Sequence, residues 1–176
     1  MAARVLLAAL LAAFASATSF IQPMGLHLLP EDVANSTGAV CLDGSPPGFY
    51  FTKASDPAKA DKWVIFFRGG GWCYDEKDCL NRAKTALGST RDLTTDWMMG
   101  GIMNSDQNIN PEFAGYNRVL LWYCDGASFS GNRDTPINVN GTNLYFRGHR
   151  ILDELFGFLR YISNTPLCVN ITPPLS

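Results

Sequence analysis

Two unbroken apolar runs dominate the polarity pattern of the chain: Trp63-Val64-Ile65-Phe66-Phe67 and Val119-Leu120-Leu121-Trp122-Tyr123. Each is aliphatic or aromatic throughout and stops at a cluster of small residues, as strands covered on both faces do. The chain between them is long enough for a crossover, so the two are expected to lie side by side and parallel, with their closing loops at one edge of the sheet. Phe49-Tyr50-Phe51-Thr52 follows the turn formers of the stretch 41–48 and predicts another strand. Only a polar loop opening at Asp56-Pro57 separates it from Trp63, which predicts an antiparallel neighbour. Farther on, Ile151, Leu152, Leu155, Phe156, Leu159 and Ile162 recur at helical spacing. They predict a helix packed on the sheet, with Arg150 and Glu154 one turn apart for an ion pair. Gly157 interrupts that helix at a cost of about 1 kcal/mol relative to Ala.

Between these elements the pattern is weaker. Asp75 or Asp78 is placed to cap a short helix running through Leu80, Ala83, Lys84 and Leu87 to Gly88. Residues 18–40 show neither period and read as an extended arm. From Ser89 to Phe113, Trp97, Met98, Met99, Ile102 and Met103 are scattered among Gly, Asn and Asp. This predicts an irregular excursion over the sheet that adds apolar wall to a cleft. Residues 163–176 break up at Pro166, Pro173 and Pro174 and read as a divergent tail.

Composition narrows the classes. A hydrophobic share of 47% supports a real core, and a net charge of -2 without a basic patch gives a nucleic-acid role no support. Residues 1–17 have the layout of a secretory signal peptide: a basic start at Arg4, an apolar run to Phe14 and a small-x-small site at Ala15-Ser16-Ala17. No apolar run is long enough to span a bilayer. Sequons at Asn35, Asn140 and Asn170 fit an exported, glycosylated protein, extracellular or in a cell wall. In an oxidising compartment Cys73 and Cys79 are spaced for a local disulfide, Cys41 and Cys124 for a second that closes a long loop, and Cys168 is left over. No Cys-x-x-Cys pair occurs and the histidines are His27 and His149 alone, so neither a metal site nor a cofactor is expected.

The chemistry sits in the loops. After Phe67 come Arg68 and then Gly69-Gly70-Gly71-Trp72-Cys73. Without Cβ atoms in the way, a substrate oxygen can lie against the N–H groups of Gly70, Gly71 and Trp72, as in an oxyanion hole. A plain strand-to-loop turn uses glycines as well, so the loop alone leaves both readings open.

Four motifs taken together resemble the pectin acetylesterases, plant and microbial carbohydrate esterases whose family also includes the animal lipid-removing esterase Notum. They are Cys41-Leu42-Asp43-Gly44-Ser45-Pro46-Pro47-Gly48, Gly69-Gly70-Gly71-Trp72-Cys73, the stretch from Asn117 through Asp125-Gly126-Ala127-Ser128-Phe129-Ser130-Gly131, and Leu144-Tyr145-Phe146-Arg147-Gly148. The resemblance covers residues 41–162 and implies an α/β fold, here an incomplete α/β-hydrolase-like sheet with helices on both faces that ends before the nucleophile strand. It also implies ester cleavage by a Ser-His-Asp triad acting on acetylated polysaccharide or another ester. Gly70, Gly71 and Trp72 would form the oxyanion loop, each donor being worth ~2.7–4 kcal/mol in the transition state. Asp125, Gly126, Ala127 and Ser128 would form a substrate-side loop. Arg68 stands where the family usually has an acidic residue. No Gly-x-Ser-x-Gly elbow occurs in the sequence, so no catalytic nucleophile, acid or base is assigned. Ser128 and Ser130 are not promoted to nucleophile, and His149 is expected to be an ordinary helical histidine. The other readings are a non-catalytic secreted module that binds carbohydrate or lipid, and a truncated gene product.

Overall fold

The computed structural model of the chain describes residues 21–163. Five strands, β1 (Met24–Leu28), β2 (Gly48–Thr52), β3 (Trp63–Phe67), β4 (Asp96–Trp97) and β5 (Asn117–Leu121), form one mixed sheet in the order β3-β5-β2-β1-β4. A small hairpin of β6 (Ile137–Val139) and β7 (Thr142–Leu144) stands apart from it. The helices are α1 (Glu31–Thr37), α2 (Glu76–Arg82) and α3 (Gly148–Ser163).

The two apolar runs do become parallel neighbours, with Trp63 opposite Asn117 and Phe67 opposite Leu121. β5 is buried at every position because β3 flanks it on one side and β2 on the other. This corrects the expected pairing of the 49–53 and 62–67 strands: β2 runs antiparallel to β5, which separates it from β3. A short loop sets the direction of two strands but not whether a third strand inserts between them.

The period-2 alternation of β2 shows how the core is divided. Phe49 faces α3, its ring 5.8 Å from Phe158, whereas Tyr50 faces the other side, where its ring lies 5.7 Å from Trp97 and 5.6 Å from Trp122. Ile151, Leu155 and Leu159 of α3 are fully buried in the same cluster. The opposite face is covered by the segment between Leu87 and Met103, where buried Arg118 donates to the Met103 carbonyl at 2.9 Å. The irregular excursion therefore lies over the sheet except at Asp96–Trp97, which joins it as the edge strand β4 beside β1; Met103 is buried in the core and Trp97 packs against it.

Several local expectations change. Residues 18–40 do not form a plain extended arm, because Met24–Leu28 pairs with β2 and Glu31–Thr37 is helical up to Gly38, whose φ of 73° ends it. Both elements are too short to carry a readable period. Helix α2 is capped by Asp75, which accepts from the Asp78 N–H at 2.7 Å, but it stops at Arg82 short of Gly88. There the Thr85 hydroxyl donates to the Arg82 carbonyl at 2.8 Å and accepts from the Leu87 N–H at 3.2 Å, a local alternative to the next helical turn. The Arg150–Glu154 pair is replaced. Arg150 turns to the loop before the hairpin, bonding Asn132 at 2.7 Å and Asp134, while His149 pairs with Asp153 at 3.0 Å. Residues 1–17, Cys168 and Asn170 lie outside the described residues.

Candidate active site

Parallel neighbours whose strands end level deliver their loops to one place. Beyond the last register pair, the Arg68 N–H donates to the Leu121 carbonyl at 3.1 Å, and the two chains then turn. The glycine loop and the 125–131 loop meet through three contacts: Cys73 N–H to the Gly126 carbonyl at 3.1 Å, Tyr123 hydroxyl to the Gly71 carbonyl at 2.6 Å, and Trp72 Nε1–H to the Ser128 hydroxyl at 2.6 Å. The Tyr123 oxygen also accepts from the Ser128 N–H at 3.3 Å, so one phenol bridges both loops. Burial pushes that phenol above its ordinary pKa and keeps it a neutral donor. Both disulfides expected from the spacing are formed: Cys41–Cys124 ties the end of β5 to the 41–48 turn, and Cys73–Cys79 ties the glycine loop to α2.

This scaffold constrains the glycine loop by its carbonyls. Arg82 Nη2 donates to the Gly70 carbonyl at 3.0 Å and Tyr123 holds that of Gly71. The N–H groups of Gly70, Gly71 and Trp72, all on exposed residues, make no hydrogen bond among the described residues. Unengaged donors on a loop whose carbonyls are held are groups that a developing oxyanion can use. Glycine is favoured here by the backbone angle at Gly71 and by close packing at Gly70. Gly71 has φ +69°, and a Cβ on Gly70 would lie 2.5 Å from Leu87 Cδ2 and 3.2 Å from Tyr123 Cδ1.

The facing loop divides by depth. Asp125 and Gly126 are buried, Ala127 is half-buried, and Ser128 and Ser130 are exposed. Asp125 is 0% exposed, and its Oδ2 accepts from Phe129 N–H at 2.9 Å and Ala127 N–H at 3.3 Å. Burial raises its pKa, opposed by those N–H donors and by Arg82. The carboxyl abuts Gly148 at the amino end of α3, so Asp125 anchors the loop rather than facing a substrate. Ser128 and Phe129 hold φ values of 50° and 61°, two consecutive non-glycine residues in the left-handed region. Strain of this kind persists only where the surroundings enforce it. Here the Phe129 ring is wedged 5.7 Å from Phe67 and 5.8 Å from Tyr123. The Ser130 hydroxyl is turned back to the Ala127 carbonyl.

Arg68 lies with its guanidinium 3.7 Å from the Trp122 ring centroid, a cation–π contact, and burial lowers its pKa. The side chains of His149 and Asp153 pair with each other on the exposed side of α3, while the His149 backbone N–H donates to the Gly131 carbonyl at 2.9 Å. The contacts of Tyr123 and Arg82 are not legible in the sequence. A strand-end tyrosine and a last-turn arginine have no sequence signature that separates them from ordinary packing and solvation. Asn35 lies on α1 and Asn140 at the β6–β7 turn, both exposed. Among the described residues, no group of three His, Cys, Asp or Glu side chains is arranged to hold a metal, and no helix is long and apolar enough to cross a membrane.

Comparison with known proteins identifies relatives of the chain. The family model described as pectinacetylesterase matches residues 19–161. Pectin acetylesterase 5 of Arabidopsis thaliana is 43% identical over 129 residues, covering 71% of this chain and 30% of the relative. The palmitoleoyl-protein carboxylesterase NOTUM of Schmidtea mediterranea is 39% identical over 123 residues, 69% of this chain and 22% of the relative. Among solved structures, the Wnt deacylase Notum from Drosophila superposes with a TM-score of 0.69 at 28% identity, over 81% of this chain and 39% of that one. The chain thus spans about 30% of the length of the plant relatives that it matches. The fold is of the α/β-hydrolase type, incomplete relative to those structures, and on these matches the chain belongs to the pectinacetylesterase family.

Proposed function

We propose that this chain is the oxyanion-side part of a secreted carboxylic ester hydrolase that removes acetyl groups from pectin, with residues 41–162 as the family domain. The observation that carries the reading is the row of unengaged N–H groups at Gly70, Gly71 and Trp72, held from behind by Arg82 and Tyr123. In the proposed reaction these donors stabilise the tetrahedral oxyanion. The Ser128 side of the facing loop, pinned by buried Asp125, borders the bound ester. The nucleophile, acid and base come from sequence not present in these 176 residues, which contain no Gly-x-Ser-x-Gly. The signal-like residues 1–17 and the exposed sequons at Asn35 and Asn140 support export and glycosylation, and the disulfides support an oxidising compartment.

The test joins residues 1–161 to the carboxyl-terminal remainder of Arabidopsis thaliana pectin acetylesterase 5 and measures acetate release from acetylated pectin. The chimera is expected to turn over, and Gly71→Val is expected to cut kcat by about 10²–10³. A cooperatively folded chimera without activity, or one indifferent to Gly71→Val, would sink the proposal.

A further inference from the structure

Beyond the oxyanion donors, the same loop exposes two aromatic rings that oxyanion binding does not require. Trp72 and Tyr74 are 68% and 87% exposed, on either side of Cys73, whose disulfide to Cys79 fixes the turn. Tyr74 stands at the edge of an open cleft of about 220 Å³ between α2 and the β6–β7 hairpin. That volume falls short of the ~300–1,000 Å³ typical of sites that engulf a drug-sized ligand, and suits one face of a single ring held at a surface. The floor is apolar, made by Ile137, Leu144 and Phe146, while the remaining rim carries Asp75 and Glu76. No basic side chain lines it. Arg82, on the same helix as Glu76, is committed to the Gly70 carbonyl and lies 5.8 Å from the Tyr123 ring centroid.

We propose that this cleft is a sugar subsite continuous with the oxyanion loop, and that it takes an uncharged pyranose, neutral or methyl-esterified, in preference to ionised galacturonate. The inference rests on the reading of the chain as part of a pectin-acting esterase. The chemistry has two parts. The C–H face of a pyranose is weakly positive and packs on the electron-rich face of an exposed aromatic ring, here Tyr74. Carboxylates at the rim accept hydrogen bonds from sugar hydroxyls but repel a second carboxylate brought among them without a cation. Asp75 is half committed, because one of its oxygens caps α2. Glu76 is exposed and is the residue through which charge selection is exerted.

The test titrates the full chain, at protein concentrations low enough to suppress self-association, with three oligosaccharides of equal length. These are a free-acid oligogalacturonide, its methyl ester and a neutral galacto-oligosaccharide, with binding read by tryptophan fluorescence and calorimetry. The methyl ester is expected to bind at least about tenfold more tightly than the free acid, a difference of about one decade in Kd. Glu76→Lys is expected to invert that preference. Tyr74→Ala is expected to weaken uncharged ligands about tenfold, the scale of a lost stacking contact. Neutral oligosaccharide matching the ester assigns the site to neutral side chains of the polymer, whereas a clear preference for the ester assigns it to methylated backbone; both support an uncharged occupant. Free acid binding as well as the ester, an unchanged Kd in Tyr74→Ala, or no binding by any of the three overturns the proposal. Because the readout is binding, acetate release by the chimera alongside any of these failures would remove the subsite and leave the esterase reading standing.

Discussion

At the scale of single residues, the site depends on contacts that leave no room for a side chain. A Cβ on Gly148 would lie 2.2 Å from Asp125 Oδ2 and 2.5 Å from Phe129 Cα, so neither the carboxyl nor the strained backbone beside it has space to retreat. Gly148→Ala is expected to destabilise the fold by about 1–3 kcal/mol, as overpacking in a closed interior does; a urea midpoint equal to that of the parent chain would refute it. Asp125 also makes stability depend on pH. Its pKa is raised in the folded state, by burial first, so the folded chain holds this proton more tightly than the unfolded chain does. The associated stability is present in full below the ordinary carboxylate value and is lost as pH rises through the higher folded value. Relative to Asp125→Asn, which cannot ionise, the parent chain should lose stability on going from pH 3 upward until Asp125 is fully ionised. Urea unfolding of both chains across that range measures the difference, and a difference that is flat or runs the other way contradicts the assignment.

At the scale of elements, the two disulfides do different amounts of work because they close loops of different length. Cys73 and Cys79 are 6 apart in sequence, Cys41 and Cys124 are 83 apart, and in the chain-entropy model the longer loop is worth about 2 kcal/mol more. Cys41→Ala/Cys124→Ala is therefore expected to cost more stability than Cys73→Ala/Cys79→Ala, and equal urea midpoints would contradict this. The shorter bridge should matter instead to the loop that it holds. Elements with strong local signals were legible in the sequence: the two buried strands and the α3 stripe from Ile151 to Leu159 each carry several agreeing residues, and the start of α2 was narrowed to a cap at Asp75 or Asp78. Elements whose existence depends on the rest of the fold were not. Met24–Leu28 and Glu31–Thr37 are short, without a clean period, and are ordered by pairing with β2 and by packing around Leu29, Ala34 and Val40. The insertion of β5 between β2 and β3 is a long-range fact that the short 53–62 connection does not encode. At the site, the glycine loop could be read from its composition. The Tyr123 bridge and the Arg82 brace could not, since each is defined by where its far end arrives.

At the scale of the whole molecule, the described sheet has a bare side, and a hydrophobic one. β3 pairs only with β5, so its other edge carries unpaired backbone groups among the described residues. Phe66 and Phe67 on that strand are 40% and 43% exposed, and the Trp63 indole N–H is buried without an acceptor. Nothing blunts this edge: within Trp63–Phe67 there is no charge, proline or bulge, the devices by which natural edge strands avoid pairing with another chain. Phe67 is partly tied down by Phe129 and Phe156, at 5.7 and 6.3 Å. Phe66, pointing to the opposite face, has no aromatic partner among the described residues and is the residue to change. The 176-residue chain produced alone is expected to self-associate in the micromolar range in which exposed strand edges aggregate. Phe66→Lys is expected to move the onset to higher concentration while changing the unfolding free energy by no more than about 0.5 kcal/mol, as surface substitutions do. Neither chain is expected to release acetate above background, because loop donors without a nucleophile and base retain little rate. Sedimentation of both chains over a concentration series, paired with an acetate-release assay, decides the matter. A parent chain that stays monomeric, or a Phe66→Lys chain that associates at the same concentration, would show that the β3 edge is not the sticky surface. Acetate release by the parent chain that vanishes in Gly71→Val would return Ser128 and Ser130 to consideration as the nucleophile.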